Sequence, residues 1–253
     1  MCDTSVAASV SEVLYARRFT GDTVRITSRH CHTQGQLLGA WSGLLSVDSD
    51  ASRWVVPSTH VVWLPPKVAH GLRSHGPFTG WSLYVEPEWC DRLPQIPCAL
   101  QNSGLLRELV LRILAWTGEE QKAIGYRLCL VLLDEIRLLK ADLLGVALPQ
   151  EPRLLRIAQR LLVCPEDNQP IAIWAAACDM SLRTFSRRFA RETGVTFGQW
   201  RRQIRLLCAL EKLAAGASVK HVALSLGYDN VSAFISLFHR TLGVTPARYF
   251  SSY

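Results

Sequence analysis

The sequence predicts a multidomain β + α protein: an N-terminal β-barrel, a helical linker, and a C-terminal all-α domain with two helix-turn-helix units. Three observations predict it. Between about Val24 and Val85, short apolar runs are separated by Gly, Pro, Asp and Ser clusters, the texture of a small barrel or sandwich. From Leu105 to Leu144 the chain is instead Leu-rich and free of proline. In the last third, Phe185-x3-Phe189-x4-Gly194-Val195-Thr196 returns as Phe234-x3-Phe238-x4-Gly243-Val244-Thr245, at a constant offset of 49 residues.

Composition narrows the classes. A chain of 253 residues, 49% of them apolar, can build two domains with sizeable cores. No run approaches 18 uncharged apolar residues, so no membrane span is expected. The opening "MCDTSVAASVSEV" contains acids and lacks a basic start before an apolar run, so no signal peptide is expected. The eight cysteines, at 2, 31, 90, 98, 129, 164, 178 and 208, form no CxxC pair and no disulfide framework. Most are expected as small buried residues in a reducing cytoplasm. The net charge of +7 is unevenly placed: Pro170 to Tyr253 holds 11 Lys/Arg against 4 Asp/Glu, and the remainder balances at 17 against 17. A basic last third is expected of a segment that meets a polyanion.

In chain order, strands are read at "VRIT" (Val24–Thr27), "QLLGAWSGLLSV" (Gln36–Val47), "RWVVP" (Arg53–Pro57), "HVVWLPP" (His60–Pro66) and "WSLYV" (Trp81–Val85). Their Val, Trp and Leu content suits a pleated surface. Trp41, Trp54, Trp63 and Trp81 alternate with strand faces and are expected in the core rather than around a ligand. Helices follow at Leu105–Trp116 and Ala123–Leu144. In the second, Ile124, Leu128, Leu132, Ile136, Leu139 and Leu143 make one stripe at helical spacing. This pair could cover the barrel or pair with a second subunit. "GVALPQEP", Gly145 to Pro152, then breaks the pattern. The domains are placed accordingly at 1–95, 96–148 and 149–253.

The two helix-turn-helix units fall at about 171–192 and 219–241. "IAIWAAACDMS" and "VKHVALSLGYDN" each supply a short apolar helix and a tight turn. Ser181 and Asn230, also 49 apart, are the N-caps of the second helices. Gly194 and Gly243 suit the left-handed residue that closes them. Thr196-x-x-Gln199 is a capping-box signature, opening a linker helix expected to run to about Ala215. Roughly 18 residues at about 1.5 Å each span on the order of 27 Å. Successive major-groove faces on one side of B-DNA lie about 34 Å apart. With the width of the flanking units added, such a helix would put both second helices in adjacent grooves.

These residues, above all "MSLRTFSRRFARETGVTFGQWRRQIRLLCALEKL" and "GYDNVSAFISLFHRTLGVTPARYF", resemble the AraC/XylS family of bacterial transcription regulators over roughly Pro152 to Phe250. The resemblance implies a cytoplasmic, sequence-specific DNA-binding regulator that responds to a small effector and is not an enzyme. Its implied partners are double-stranded promoter or operator DNA, a small-molecule effector, RNA polymerase and a second copy of the chain. It also implies that the second helix of each unit enters the major groove. In the first, Ser181 to Glu192, the inward stripe would be Leu182, Phe185 and Phe189. The DNA-facing set would be Arg183, Thr184, Ser186, Arg187 and Arg188, with Arg188 and Arg191 better placed for phosphates. In the second, Val231 to Thr241, the set would be Val231, Ser232, Ile235, Ser236 and His239. Val231 and Ile235 would touch thymine methyls, or this helix would add mainly backbone contacts. Arg201, Arg202 and Arg205 on the linker helix are structural partners or backbone contacts; sequence leaves both open.

The N-terminal half, about Val24 to Glu86, resembles a cupin, the small barrel that serves many such regulators as a sensor. In "SRHCHTQGQLL", Ser28 to Leu38, His30 and His32 would share a face of one strand. The first cupin motif reads here His30-x-His32-x3-Gln36, with Gly43 later. The second matches through Pro65-Pro66-Lys67-Val68-Ala69-His70, without its glycine. The resemblance implies an effector or metal site at His30, His32, Gln36 and His70. Three imidazoles with an open position can hold Zn, Ni or Fe, but Gln36 stands where cupin enzymes carry Glu, and an amide cannot act as a base. A divalent metal, a polar small-molecule pocket and mutual hydrogen bonding all remain open. The functional alternatives are a cupin-type metal-dependent enzyme or metal sensor carrying a DNA-binding domain, and an architectural protein that bends DNA. His60 and His75 are expected at the surface, in turns.

Overall fold

The computed structural model describes residues 6–9, 12–116, 122–141 and 144–251. The chain divides into two units, residues 1–49 with 54–143 and residues 50–53 with 144–253.

The first unit is β-rich. Its strands are β1 (Val6–Ser9), β2 (Leu14–Gly21), β3 (Ile26–His30), β4 (Gly35–Ser42), β5 (Leu45–Ser49), β6 (Ser52–Val56), β7 (His60–Leu64), β8 (His70–Ser74), β9 (Phe78–Val85) and β10 (Cys98–Gln101). One sheet has the order β1-β2-β9-β4-β7-β10; in the other, β6, β5, β8 and β3 are successive neighbours. Two helices follow, α1 (Gly104–Leu114) and α2 (Lys122–Leu138).

β4 and β7 are buried on both faces. Leu37, Val61 and Trp63 pack with Leu106, Val110, Ile113, Leu132 and Ile136 of the two helices. Their neighbours Leu38, Val62 and Leu64 join Leu45, Val47, Trp54 and Phe78 in a second cluster between the sheets. Burial on two faces is why these strands read as near-continuous apolar runs. Each such side chain contributes about 1.5–3 kcal/mol when fully buried. Trp54, Trp63 and Trp81 are core residues at 4%, 0% and 2% exposure.

Several elements differ from expectation. "QLLGAWSGLLSV" is two strands, β4 and β5, separated by a turn where Gly43 takes φ +77. Strands β1, β2 and β10 lie outside the run of strands read from sequence. β2, "LYARRFTG", hides because Arg17, Arg18 and Thr20 interrupt its apolar positions. α2 ends at Leu138 rather than Leu144. Its buried residues are Gly125, Cys129, Leu132, Leu133 and Ile136, so the expected stripe holds at its centre and drifts at its ends. Ile124 is 41% exposed, and Leu143 lies outside the described residues.

The second unit holds β11 (Gly145–Ala147) and seven described helices. They are α3 (Pro152–Val163), α4 (Ile171–Ala176), α5 (Leu182–Thr193), α6 (Phe197–Ala214), α7 (Val219–Ser225), α8 (Val231–Leu242) and α9 (Pro246–Ser251). Glu151 caps α3 by accepting from the main-chain N–H groups of Arg153 and Leu154, at 3.0 and 2.9 Å. The indole of Trp200, fully buried on α6, donates to the carbonyl of Ala147 at 2.8 Å.

Candidate DNA interface and effector pocket

α4–α5 and α7–α8 are the two helix-turn-helix units, each closed by aromatic packing. Phe185 and Phe189, both 0% exposed, meet Phe197 edge-on at 5.2 and 5.1 Å. In the second unit Phe234 meets Phe238 at 5.8 Å, and Phe238 meets Tyr249 at 5.7 Å.

The caps match as well. Ser181 Oγ accepts from Thr184 N at 3.2 Å and Asn230 Oδ1 from Ala233 N at 2.7 Å. Gly194 and Gly243 close the helices with φ +77 and +76. The turns add a detail. Met180 N donates to Ala175 O, and Tyr228 N to Ala223 O; these pairs are 48 residues apart, not 49. The left-handed turn residues Asp179 (φ 53) and Gly227 (φ 77) are likewise 48 apart. The second turn therefore carries one extra residue before its cap.

On α5, Arg183 and Arg187 are exposed, while Thr184, Ser186 and Arg188 are half-buried. Leu182 is 49% exposed: it opens the helix, beyond reach of the aromatic core, and is not part of the inward stripe. Arg188 lies 4.0 Å from the Glu151 carboxylate. On α8, Ser232, Ser236 and His239 are exposed, and Val231 and Ile235 are half-buried.

Between the units runs α6, an 18-residue helix. Its capping box is complete: Gln199 N donates to Thr196 Oγ1 at 3.3 Å, and Thr196 N to Gln199 Oε1 at 2.9 Å. Arg201 and Arg205 turn toward the loop between α3 and α4. Arg201 donates to the carbonyls of Asp167 and Gln169, and Arg205 to the carbonyl of Pro165 and the side chain of Asn168. The same loop abuts the second turn, where a Cβ on Gly227 would lie 2.9 Å from Glu166 O. These two arginines are structural; they pin one loop against the linker helix and both units.

The first unit brings the predicted histidines together, by a different route from the one expected. β3 ends at His30, so His30 and His32 do not share a regular strand. His30 sits opposite His70 in the antiparallel β3–β8 pair, after a register shift between Thr27 and His30. Such a bulge re-aims the side chain that follows it. His32 enters from the loop beyond, and its carbonyl accepts from Lys67 N at 2.9 Å. Lys67 itself has φ 65: the turn needs the left-handed conformation that the missing glycine would supply.

The result is tight. The three rings lie 4.5 to 5.8 Å apart, and one ring nitrogen of each falls within 4.8 Å of the others. Every Nδ1 faces a carbonyl, of Ser28, Gln34 and Val68 for His30, His32 and His70, at 3.0, 2.7 and 2.9 Å. A carbonyl only accepts, so each Nδ1 is the donor. His32 Nε2 lies 3.1 Å from Gln36 Oε1, and Gln36 Nε2 donates to Ser82 Oγ at 2.8 Å. His70 is 1% exposed and its Nε2 has no partner. Burial holds its pKa down at about 4.

His30, Gln36 and His70 border a cavity of about 200 Å³ between the two sheets. Arg17, Arg25 and Tyr84 line it too, with Leu38, Phe78 and Trp81 among its apolar walls. Sequence reading missed Arg17, on β2, and Arg25, just before β3; their place at the cavity depends on β2 pairing with β9 and β3 with β8, which no local signal announces. His60 begins β7 and His75 is half-buried against Ser46 Oγ at 2.8 Å, so neither is a free turn residue.

Known proteins share these features. A family described as "Helix-turn-helix domain" matches residues 174–252, and one described as "AraC-like ligand binding domain" matches residues 10–170. The HTH-type transcriptional regulator NimR of Escherichia coli (strain K12) is 33% identical over 221 residues, 87% of this chain and 81% of that protein. Among solved structures, ToxT from Vibrio cholerae is similar with TM-score 0.40 and 11% identity, covering 94% of this chain and 98% of that one. The DNA-binding domain of AdpA, in complex with a target DNA, is 33% identical with TM-score 0.37, covering 39% of this chain and 89% of that one. With a ligand-binding unit, two matched helix-turn-helix units and a relative this similar along most of its length, the chain belongs to the AraC/XylS family of transcription regulators.

Proposed function

We propose that this regulator reads two successive major grooves, with Arg183, Thr184, Ser186 and Arg187 on α5 and Val231, Ser232, Ile235, Ser236 and His239 on α8. The observation that carries this is the pair of equally capped helices at the two ends of an 18-residue linker helix. Arg183 and Arg187 are the base readers, since an arginine bidentate to guanine is worth about 1–3 kcal/mol of discrimination. Val231 and Ile235 offer apolar surface to thymine methyls. Arg188, drawn toward Glu151, contributes a phosphate contact at most.

The effector binds in the cavity between the sheets and acts by favouring one of two states of the regulator, through differential contacts. The protein works in the cytoplasm as a homodimer, supported by exposed apolar residues on α1 and α2, Leu105 at 51%, Val131 at 46% and Leu138 at 78%. RNA polymerase is the partner on which its output falls. Regulation rather than catalysis is its role, as the name of the NimR relative suggests.

The test is quantitative footprinting on the gene's own upstream DNA. Protection of two adjacent major grooves is expected, and Arg187→Ala should cost roughly tenfold or more at one guanine-containing position, the equivalent of about 1.4 kcal/mol or more. Equal affinity of Arg187→Ala and wild type would refute the base-reading assignment. Equal affinity for the upstream site and random duplex would refute specific regulation.

A further inference from the structure

The linker helix sets how far apart the two reading helices stand, but not how one unit is turned against the other. Left-handed glycines flank it, Gly194 at φ +77 and Gly216 at φ +89, and glycine backbone is permissive. A lateral contact has to fix the rotation if both helices are to meet adjacent grooves at once.

The loop between α3 and α4, residues 164–170, makes that contact. It is braced within itself, since the Asp167 carboxylate accepts from Gln169 N at 3.1 Å and from Arg160 Nη2 at 3.0 Å. Toward the first unit, the carbonyl of Gln169 accepts from the indole of Trp174 on α4 and from Arg201 Nη1, both at 3.1 Å. Trp174 is buried, so this end of the loop is tied to the core of that unit.

Toward the second unit, one side chain gathers the contacts. Asn168 Oδ1 accepts from Arg205 Nη2 at 2.8 Å and from Arg201 Nη2 at 3.3 Å, and Asn168 Nδ2 donates to the carbonyl of Gly227 at 3.4 Å. Gly227 is the left-handed residue of the second turn. A Cβ there would stand 2.9 Å from Glu166 O and 3.2 Å from Glu166 Cα, main-chain atoms that cannot rotate aside. Beside it, the Arg205 guanidinium lies 5.8 Å from the Tyr228 ring centroid, and Tyr228 meets Phe234 of α8 at 5.4 Å. A continuous series of contacts therefore runs from α4, through the loop, to the second reading helix.

We infer that this loop, through Asn168 and its close packing on Gly227, fixes the rotation of α8 relative to α5 and so makes the spacing of the two DNA half-sites a specificity determinant of this chain. The inference rests on the two-groove reading proposed above. Asn168 and Gly227 are positioning residues, acting through the helix they orient. One added base pair moves the second half-site by about 3.4 Å and turns it by about 35°. Units free to swing would follow that change; locked units lose the contacts of one helix. That loss is at least that of a mismatched base pair, about tenfold in affinity.

The experiment uses full-length protein and duplexes carrying the upstream site it protects, at natural spacing and with one base pair inserted or removed between the two protected grooves. Wild type should lose about tenfold or more on either altered duplex. Asn168 is exposed, so Asn168→Ala is little prone to misfold; it should cut the penalty to about threefold or less. Gly227→Ala, whose methyl forces the turn off the loop, should do the same. A duplex with only the half-site under α5 should bind wild type and both variants alike, since no base reader has changed. Relaxed spacing in either variant supports the inference. The full penalty in both overturns it, and a lowered melting temperature with that penalty intact would make these contacts merely structural. Wild-type protein indifferent to the inserted base pair also overturns it while leaving the two-groove reading standing. A wild-type footprint over a single groove overturns that reading, and this inference with it.

Discussion

Replacing Arg201 with alanine distinguishes a structural arginine from a DNA-contacting one. Arg201 sits on the linker helix, in a basic unit, where sequence alone could make it a phosphate contact. In the structure its guanidinium donates through Nη1 to Gln169 O at 3.1 Å and through Nη2 to Asp167 O, and lies 5.7 Å from the Phe197 ring centroid. Burial lowers its pKa, with Arg205 beside it adding to the effect. A hydrogen bond from a charged donor contributes about 1.5–3 kcal/mol, and orphaned carbonyls add to the loss. Two such bonds, partly solvated, make the expected cost of Arg201→Ala about 2–4 kcal/mol. For a unit of this size that lowers the melting temperature on the order of 10 °C. Arg201→Lys should recover less than half of it, because an ammonium cannot span both carbonyls. The assay pairs thermal melts with DNA affinity over a range of salt. A phosphate contact would reduce the slope of log K against log salt by about 0.9 on removal; a structural Arg201 leaves that slope unchanged for the folded variant. Unchanged melting with a reduced slope would refute the bracket and make Arg201 a backbone contact.

Other outcomes follow from the same reasoning. Phe189→Ala and Phe238→Ala, equivalent and both 0% exposed, should each cost about 3–5 kcal/mol in chemical denaturation; a large inequality would mean that the two units are not energetically matched. Lys67→Gly should stabilise the first unit by about 1 kcal/mol, since Lys67 holds φ 65 at an exposed turn; a loss of stability would show that the lysine side chain earns its place. Among the described cysteines, alkylation at pH 8 should mark exposed Cys31 first and spare Cys98 and Cys208, whose thiols burial pushes up to about 11 and about 12. The thiolate of Cys208 becomes available only as pH rises toward that value, so rapid labelling of native Cys208 at pH 8 would contradict its packing.

How much could be read from sequence follows the range of the interactions involved. Caps are local: Ser181, Asn230, Gly194, Gly243 and the Thr196–Gln199 box each act within a few residues of themselves, and all are found as the sequence implies. The Phe pairs are local too, at i and i+4 on one helix. The bracket of Arg201 and Arg205 is not, since its partners lie 32 to 40 residues upstream. Nothing in "QWRRQIRLL" says that two of its three arginines point at carbonyls. The histidine site lies between these cases. His30 and His32 are two positions apart in sequence, yet an i, i+2 strand argument misplaces them, and what unites them with His70 is the β3–β8 pairing. The lysine at 67 shows the limit from the other side: its absent glycine weakened the motif, while the backbone adopts the glycine conformation regardless.

The two helix-turn-helix units differ by one residue in the turn before the cap of the second helix. Both share their aromatic anchors and caps, so the helices themselves are equivalent to within one turn. Upstream of the cap, the first unit reaches from the Asp179 turn to Ser181 in two residues, and the second from Gly227 to Asn230 in three. The outward residues differ as well. α5 carries Arg183 and Arg187, whose long charged arms can reach guanine edges and phosphates; α8 offers Val231, Ser232, Ile235 and Ser236, which act only at contact distance. On the proposed reading, charge-driven recognition rests on α5. α8 would then add apolar contact that tolerates sequence change, so substitutions at the base pairs under α5 should cost more affinity than those under α8.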